Sequence, residues 1–153
     1  MEVTPDDPQS VDRLITDYWR WYELEITRSA EDLENLDLVD WSRDAADDLS
    51  DHPDPAWATS TIRRLVDSAP SVDAARYLGA GPVEYLVFRA MDELRDTGSR
   101  SVLEAVVNAA RKSELFRAAL AIVHDRYDDP PDGWQRIDAI LGSAVNQRHR
   151  RRT

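Results

Sequence analysis

Histidine and cysteine, the residues that most often perform catalysis or bind transition metals, are scarce in this sequence. It contains no cysteine, and its three histidines, His52, His124 and His149, stand far apart. There is no His-x-x-x-His or Glu-x-x-His pair, so a zinc site built from one helix is not predicted. The serines lack the Gly-x-Ser-x-Gly pattern of a nucleophile elbow. We therefore expect a protein that is not an enzyme, with no catalytic residue, metal ligand or cofactor.

Aspartate is the charged residue whose spacing is informative here. Five aspartates stand about one helical turn apart, which places like charges on one face: Asp40, Asp44, Asp47, Asp48 and Asp51. Like-charge pairs of this kind cost about 0.2–0.5 kcal/mol each in a helix. A sequence that retains several of these unfavourable pairs is consistent with a surface that binds a basic protein. The alternative interpretation is an ordinary solvated face. Calcium is a weaker alternative, because the central glycine and final glutamate of an EF-hand loop are missing.

The charge of the chain is strongly negative and uneven. The net charge is −11. Residues 1–70 carry −12, from 18 acids and 6 arginines, whereas residues 71–153 carry +1. An acidic half repels phosphate backbones, so binding of nucleic acid by the main body is not expected. The acidic start has no apolar signal region, and no run approaches the length of a membrane span, which predicts a cytoplasmic protein without membrane contact.

Two further patterns have a structural and a functional interpretation. Four aromatic residues at helical spacing would form either a ligand platform or part of the core, and the core is favoured: Tyr18, Trp19, Trp21 and Tyr22. The turn Gly79-Ala80-Gly81-Pro82 would cradle a phosphate or simply break the chain. It lacks the lysine of a P-loop, so a structural turn is favoured. A pocket near Trp21 and Glu84 is the basis of the alternative function, a small helical ligand-binding domain or enzyme.

Apolar residues recur every three or four positions along most of the chain, which predicts helices and no strand. The predicted helices cover about 11–27, one or two segments in 30–52, 55–68, Ser71 to Leu78, 82–96, segments opening at Ser101 and at Ser113, and 134–146. Ser10, Asp54, Ser71 and Ser113 are the predicted N-caps, and Gly98 is the predicted C-terminal cap.

These segments predict an all-α fold of about six to eight helices in irregular antiparallel pairs, as a bundle or a short HEAT-like solenoid. The predicted parts are a loose acidic N-terminus (1–9), a helical domain (10–127), a linker (128–133), a C-terminal helix (134–146) and a basic tail (147–153). Ile122 is expected to face inward, and the expected core includes Leu14, Tyr18, Trp19, Leu65, Leu86, Val106 and Leu120.

Four stretches also carry a resemblance to a known family. They are Leu14-Ile15 with Tyr18-Trp19 and Trp21; Asp54-Pro55 with Trp57; Leu78-Gly79-Ala80-Gly81-Pro82 with Glu84; and Phe116-Arg117 with Ala119-Leu120 and Val123. Over about residues 11–125 they resemble a bacterial domain of unknown function, number 6869. The resemblance implies a compact, HEAT-like helical domain and brings no activity. The 37–54 stretch and the residues after Asp128 are expected to depart from the family.

The function predicted from these patterns is a non-catalytic protein–protein interaction module that offers its acidic surface to a basic protein. An immunity-protein-like or antitoxin-like inhibitor is one concrete form. The arginines of the tail have several interpretations, namely contact with nucleic acid, an anionic membrane surface or the acidic half of the chain, or a plain solvated end. The sequence leaves the oligomeric state open.

Overall fold

The computed structural model describes residues 2–27 and 32–142, which are helical over most of their length and contain no strand. Their nine α-helices are α1 (Pro8–Thr27), α2 (Asp32–Val39), α3 (Trp41–Asp48), α4 (Pro55–Asp67), α5 (Val72–Tyr77), α6 (Pro82–Thr97), α7 (Ser101–Lys112), α8 (Glu114–Leu120) and α9 (Pro131–Leu141). Two 3₁₀ turns, Leu49–Asp51 and Leu78–Ala80, follow α3 and α5. The predicted all-α class is confirmed.

Side chains that cap helices define several of these boundaries. Three of the predicted N-caps each accept the backbone N–H three residues ahead, at 3.0–3.1 Å: Asp54, Ser71 and Ser113. Gly98 follows α6 with a φ of 74°, a left-handed conformation that glycine adopts without a steric penalty. The helix boundaries predicted from these caps are confirmed.

Proline moves two helix starts away from the predicted positions. α1 begins at Pro8, so Ser10 lies in its first turn and is not the N-cap. The Ser10 hydroxyl instead donates to the Asp7 carbonyl at 2.6 Å. α9 begins at Pro131, within the predicted linker, and ends at Leu141. Proline fits the first helical position because the N–H that it lacks would have no partner there. Residues 143–146 and the basic tail lie outside the described residues.

The core lies where α6 meets α7 and where α4 meets α7 and α8, while α1 packs on α2 and α3. Six of the seven expected core residues are buried: Leu14, Tyr18, Leu65, Leu86, Val106 and Leu120. Trp19 is only partly buried; it packs against the core, and its indole N–H donates to the Leu65 carbonyl at 3.0 Å. Ile122 was predicted to face inward but is exposed, since α8 ends at Leu120 and the helical periodicity ends with it.

A close backbone contact holds the turn that follows α5 against the end of α8. A side chain at Gly79 would overlap the Ala119 carbonyl oxygen and lie 2.8 Å from the Cβ of Ile122. Only glycine allows this approach. The Gly-Ala-Gly-Pro sequence is therefore a packing element as well as a chain break, in agreement with the structural interpretation.

The segment between α8 and α9 is anchored by a buried carboxylate. Asp129 is 3% exposed, although its surroundings have the composition of a linker. It accepts the Arg126 backbone N–H at 2.8 Å, the Arg126 Nε–H at 3.0 Å and the Trp134 indole N–H at 3.0 Å. This network fixes the position at which α9 begins.

Candidate functional site

An open groove of about 950 Å³ lies between α3 with its following 3₁₀ turn and α6. We call it the acidic groove. Its lining residues are Asp44, Asp47, Asp48, Ser50, Asp51, Tyr85, Phe88, Arg89, Asp92 and Arg126. Five carboxylates therefore face two guanidinium groups in this cavity.

One wall of the acidic groove is the acidic face predicted from the sequence. Asp44, Asp47 and Asp48 come from α3, and Asp51 comes from the 3₁₀ turn that continues it. Asp40 precedes α3, is exposed, and does not line the groove. The structure therefore brings four of the five predicted residues together and places the fifth elsewhere.

Asp47 is the most enclosed of these aspartates. It is half-buried, and burial raises the pKa of its carboxyl group. The nearby Arg43 lowers this pKa, while Asp44 and Asp48 raise it further. A side chain at Gly81 would stand 3.1 Å from the Asp47 Oδ1, so the glycine turn borders the acidic wall. The result is a carboxylate whose charge is costly to keep.

The opposite wall belongs to α6 and was not predicted. Tyr85 is 43% exposed, and Phe88 and Asp92 follow at helical spacing. The signal for this wall is present in the sequence, because these residues form a stripe opposite the buried face of α6. The sequence does not show that α6 lies across from α3, so this stripe could not be assigned to a site from the sequence alone.

Arg89 connects the two walls. Its Nη1 donates to the Ser50 carbonyl at 2.7 Å and to the His52 carbonyl at 2.6 Å. The carbonyls at the end of a helical segment have no partner within the helix, so a guanidinium group suits this position. The charge of Arg89 is thus engaged by the protein itself.

Arg126 closes one end of the acidic groove. Its Nη2 donates to Asp92 Oδ1 at 2.6 Å, and its guanidinium carbon lies 4.3 Å from the centroid of the Phe88 ring. Its Nε donates to the buried Asp129. Both arginines of the groove are therefore bonded to other groups of the chain.

A smaller cavity of about 270 Å³ lies behind the acidic wall. It shares Asp48 and Asp51 with the acidic groove and is also lined by His52 and Trp57. The ring centroids of His52 and Trp57 are 4.5 Å apart, and the His52 Nδ1 accepts the Asp54 N–H at 3.0 Å. This arrangement links the acidic wall to the start of α4.

The region named in the alternative function is packed. Trp21 is 3% exposed, and its ring centroid lies 5.6 Å from that of Tyr18 and 6.2 Å from that of Tyr77. Arg43 covers its ring at 5.5 Å. Glu84 stands in the first turn of α6, and neither Trp21 nor Glu84 lines the acidic groove. The geometry thus matches the core interpretation of the aromatic cluster.

Within residues 2–27 and 32–142, no three histidine or carboxylate side chains converge in the manner of metal ligands. None of the described helices is both long and apolar enough to cross a membrane.

Residues 29–145 match a family described as a family of unknown function, DUF6869. The chain belongs to this family. The DUF6869 match covers the acidic wall and the glycine turn, and it runs through the 37–54 stretch and on to residue 145, beyond Asp128. Helix α1 lies before it. No curated protein and no solved structure matches the chain.

Proposed function

We propose that this protein is a non-catalytic protein–protein interaction module whose acidic groove binds a basic segment of its partner. The observation that supports this proposal is the convergence of Asp44, Asp47, Asp48 and Asp51 with Asp92 in one open groove. Arg89 is bonded to two backbone carbonyls, so it competes little for the four aspartates of the acidic wall, whereas Arg126 already pairs with Asp92. An incoming lysine or arginine would meet several carboxylates at once.

The physical basis is the focusing of an electric field. A cleft lined by one sign of charge attracts the opposite charge and speeds association. The concrete form that we favour is an immunity-protein-like or antitoxin-like inhibitor in the bacterial cytoplasm, with HEAT-like helix pairs presenting the groove. The strongly acidic first half of the chain suits a basic target enzyme.

The proposal is tested with a fluorescein-labelled hexa-arginine peptide, using fluorescence anisotropy and stopped-flow kinetics. The groove variant carries Asp44→Asn, Asp47→Asn and Asp51→Asn. We expect wild-type affinity to fall as salt rises, because exposed charges are screened beyond about 8 Å at physiological ionic strength. The groove variant should associate more slowly, with a smaller change in dissociation.

A matched control separates the groove from the net charge of the protein. The control variant carries Glu34→Gln, Asp37→Asn and Asp40→Asn, three exposed acids outside the groove. It changes the net charge by the same amount as the groove variant. Retained binding by the control and loss by the groove variant support the proposal. Equal loss in both variants, or affinity that salt does not affect, would refute it.

A further inference from the structure

Arg89 is a positive charge inside a groove that we assign to a basic partner. By charge alone, it should repel that partner and weaken binding. Its geometry indicates another role, because one nitrogen of its guanidinium group bonds two carbonyls, of Ser50 and His52, across 39 and 37 positions of sequence. These two carbonyls flank Asp51 in the chain.

The bonds continue from Arg89 into the acidic wall. The Ser50 hydroxyl donates to the Asp47 carbonyl at 3.1 Å, so the residue that Arg89 holds is itself bonded to the last turn of α3. Ser50 is buried and Arg89 is half-buried. The guanidinium group therefore fixes the 3₁₀ turn on α6, and with it the positions of Asp47 and Asp51.

We propose that Arg89 is the positioning residue of the acidic groove, which holds the acidic wall in the arrangement that binds a basic partner. This inference rests on the proposed function. It makes a prediction opposite to that of charge alone: removing this positive charge should weaken the binding of a cationic ligand. The effect arises because the wall moves when its two carbonyls lose their donor.

The test uses Arg89→Gln, Arg89→Lys and the same labelled hexa-arginine peptide. Arg89→Gln should bind several-fold more weakly than the wild type. Arg89→Lys keeps the charge but is shorter and bonds as a compact ammonium group, so a smaller loss is expected. Hydrogen exchange should quicken in residues 49–52 of Arg89→Gln, where the His52 N–H bonds the Leu49 carbonyl.

Arg117→Gln is the matched control. Arg117 is also half-buried, and its Nη1 donates to the Ala110 carbonyl at 2.6 Å, but it does not line the acidic groove. Arg89→Gln loses two arginine-to-carbonyl bonds and Arg117→Gln loses one, so a purely structural role predicts that binding weakens in both variants in proportion to their loss of stability. If Arg89 positions the acidic wall, only Arg89→Gln should weaken the binding of the peptide.

The possible results separate this inference from the proposed function. If the wild type does not bind the peptide, both fail together. If the groove variant loses binding but Arg89→Gln binds as tightly as the wild type or more tightly, the positioning role is wrong and the proposed function stands. Unchanged hydrogen exchange in residues 49–52 also overturns the positioning role. If Arg89→Gln does not fold, Arg89→Lys decides, and wild-type affinity in that variant overturns the inference.

Discussion

Removing the carboxylate of Asp129 should destabilise the fold far more than removing that of its neighbour. Its side chain is fully shielded from solvent and accepts three hydrogen bonds, two from Arg126 and one from the Trp134 indole. In Asp129→Ala these donors lose their acceptor. Breaking a buried ion pair by removing one partner costs about 3–5 kcal/mol.

The lower end of that range applies here, because the Arg126 side chain keeps 33% of its exposure and can reach water. We therefore expect a loss of about 3 kcal/mol in the free energy of unfolding. For a chain of this size, 1 kcal/mol shifts the melting temperature by about 2–4 °C, so the expected fall is about 6–12 °C. That loss is a large share of the roughly 5–15 kcal/mol that stabilises a typical domain.

Asp128→Ala is the control for this prediction. Asp128 also pairs with an arginine, Arg95, at 2.9 Å, but its side chain is 64% exposed. Exposed ion pairs contribute little to stability, so its melting temperature should stay near that of the wild type. Urea denaturation followed by circular dichroism gives the free energies of unfolding. If the two variants lost equal stability, the buried network would not anchor α9 and the reasoning would be wrong.

Three further predictions follow from the packing and the charges. Gly79→Ala should lower the urea midpoint, since overpacking costs about 1–3 kcal/mol and the new methyl group would overlap the Ala119 carbonyl. Ser113→Ala should cost about 1 kcal/mol in thermal denaturation, because α8 loses its N-cap. Burial raises the pKa of Asp47 in the folded state, so the wild type loses stability as the pH rises from the ordinary aspartate range through this pKa. Asp47→Asn should remove that loss, and its gain in urea midpoint over the wild type should be larger at neutral pH than in acid; an equal gain at both would contradict the assignment.

Helix ends were predictable from the sequence because capping is local. The carboxylate of Asp54 and the hydroxyl of Ser113 bond N–H groups three residues away, so the relevant atoms are close in the sequence. The C-terminal cap at Gly98 is also a local feature, since the left-handed conformation that follows many helices is adopted mainly by glycine. Ser10 shows the limit, because proline at the first helical position outweighed a good capping residue.

Only one wall of the acidic groove could be predicted from the sequence. Spacing along one helix predicted one shared face for five aspartates, since such spacing is fixed by helix geometry. Asp44, Asp47, Asp48 and Asp51 do line the groove, but Asp40 does not. The facing wall depends on how α6 packs against α3, which is set by contacts between distant parts of the chain. Composition also does not indicate the burial of Asp129, since a run of aspartate, proline and glycine is typical of loops whether or not one carboxylate is buried.

Helix α1 stands before the family match, yet its apolar stripe is part of the core. Its buried side chains are Val11, Leu14, Tyr18, Trp21 and Leu24. The helix is thus comparable to a peptide ligand that is tethered to its own receptor, and the chain connection gives it a high effective concentration. A fragment that begins at residue 32 would leave an empty hydrophobic cleft, and a synthetic peptide of residues 2–27 would be its complement. The two pieces together form a candidate for a split-protein pair, in which reassembly reports that the halves have met.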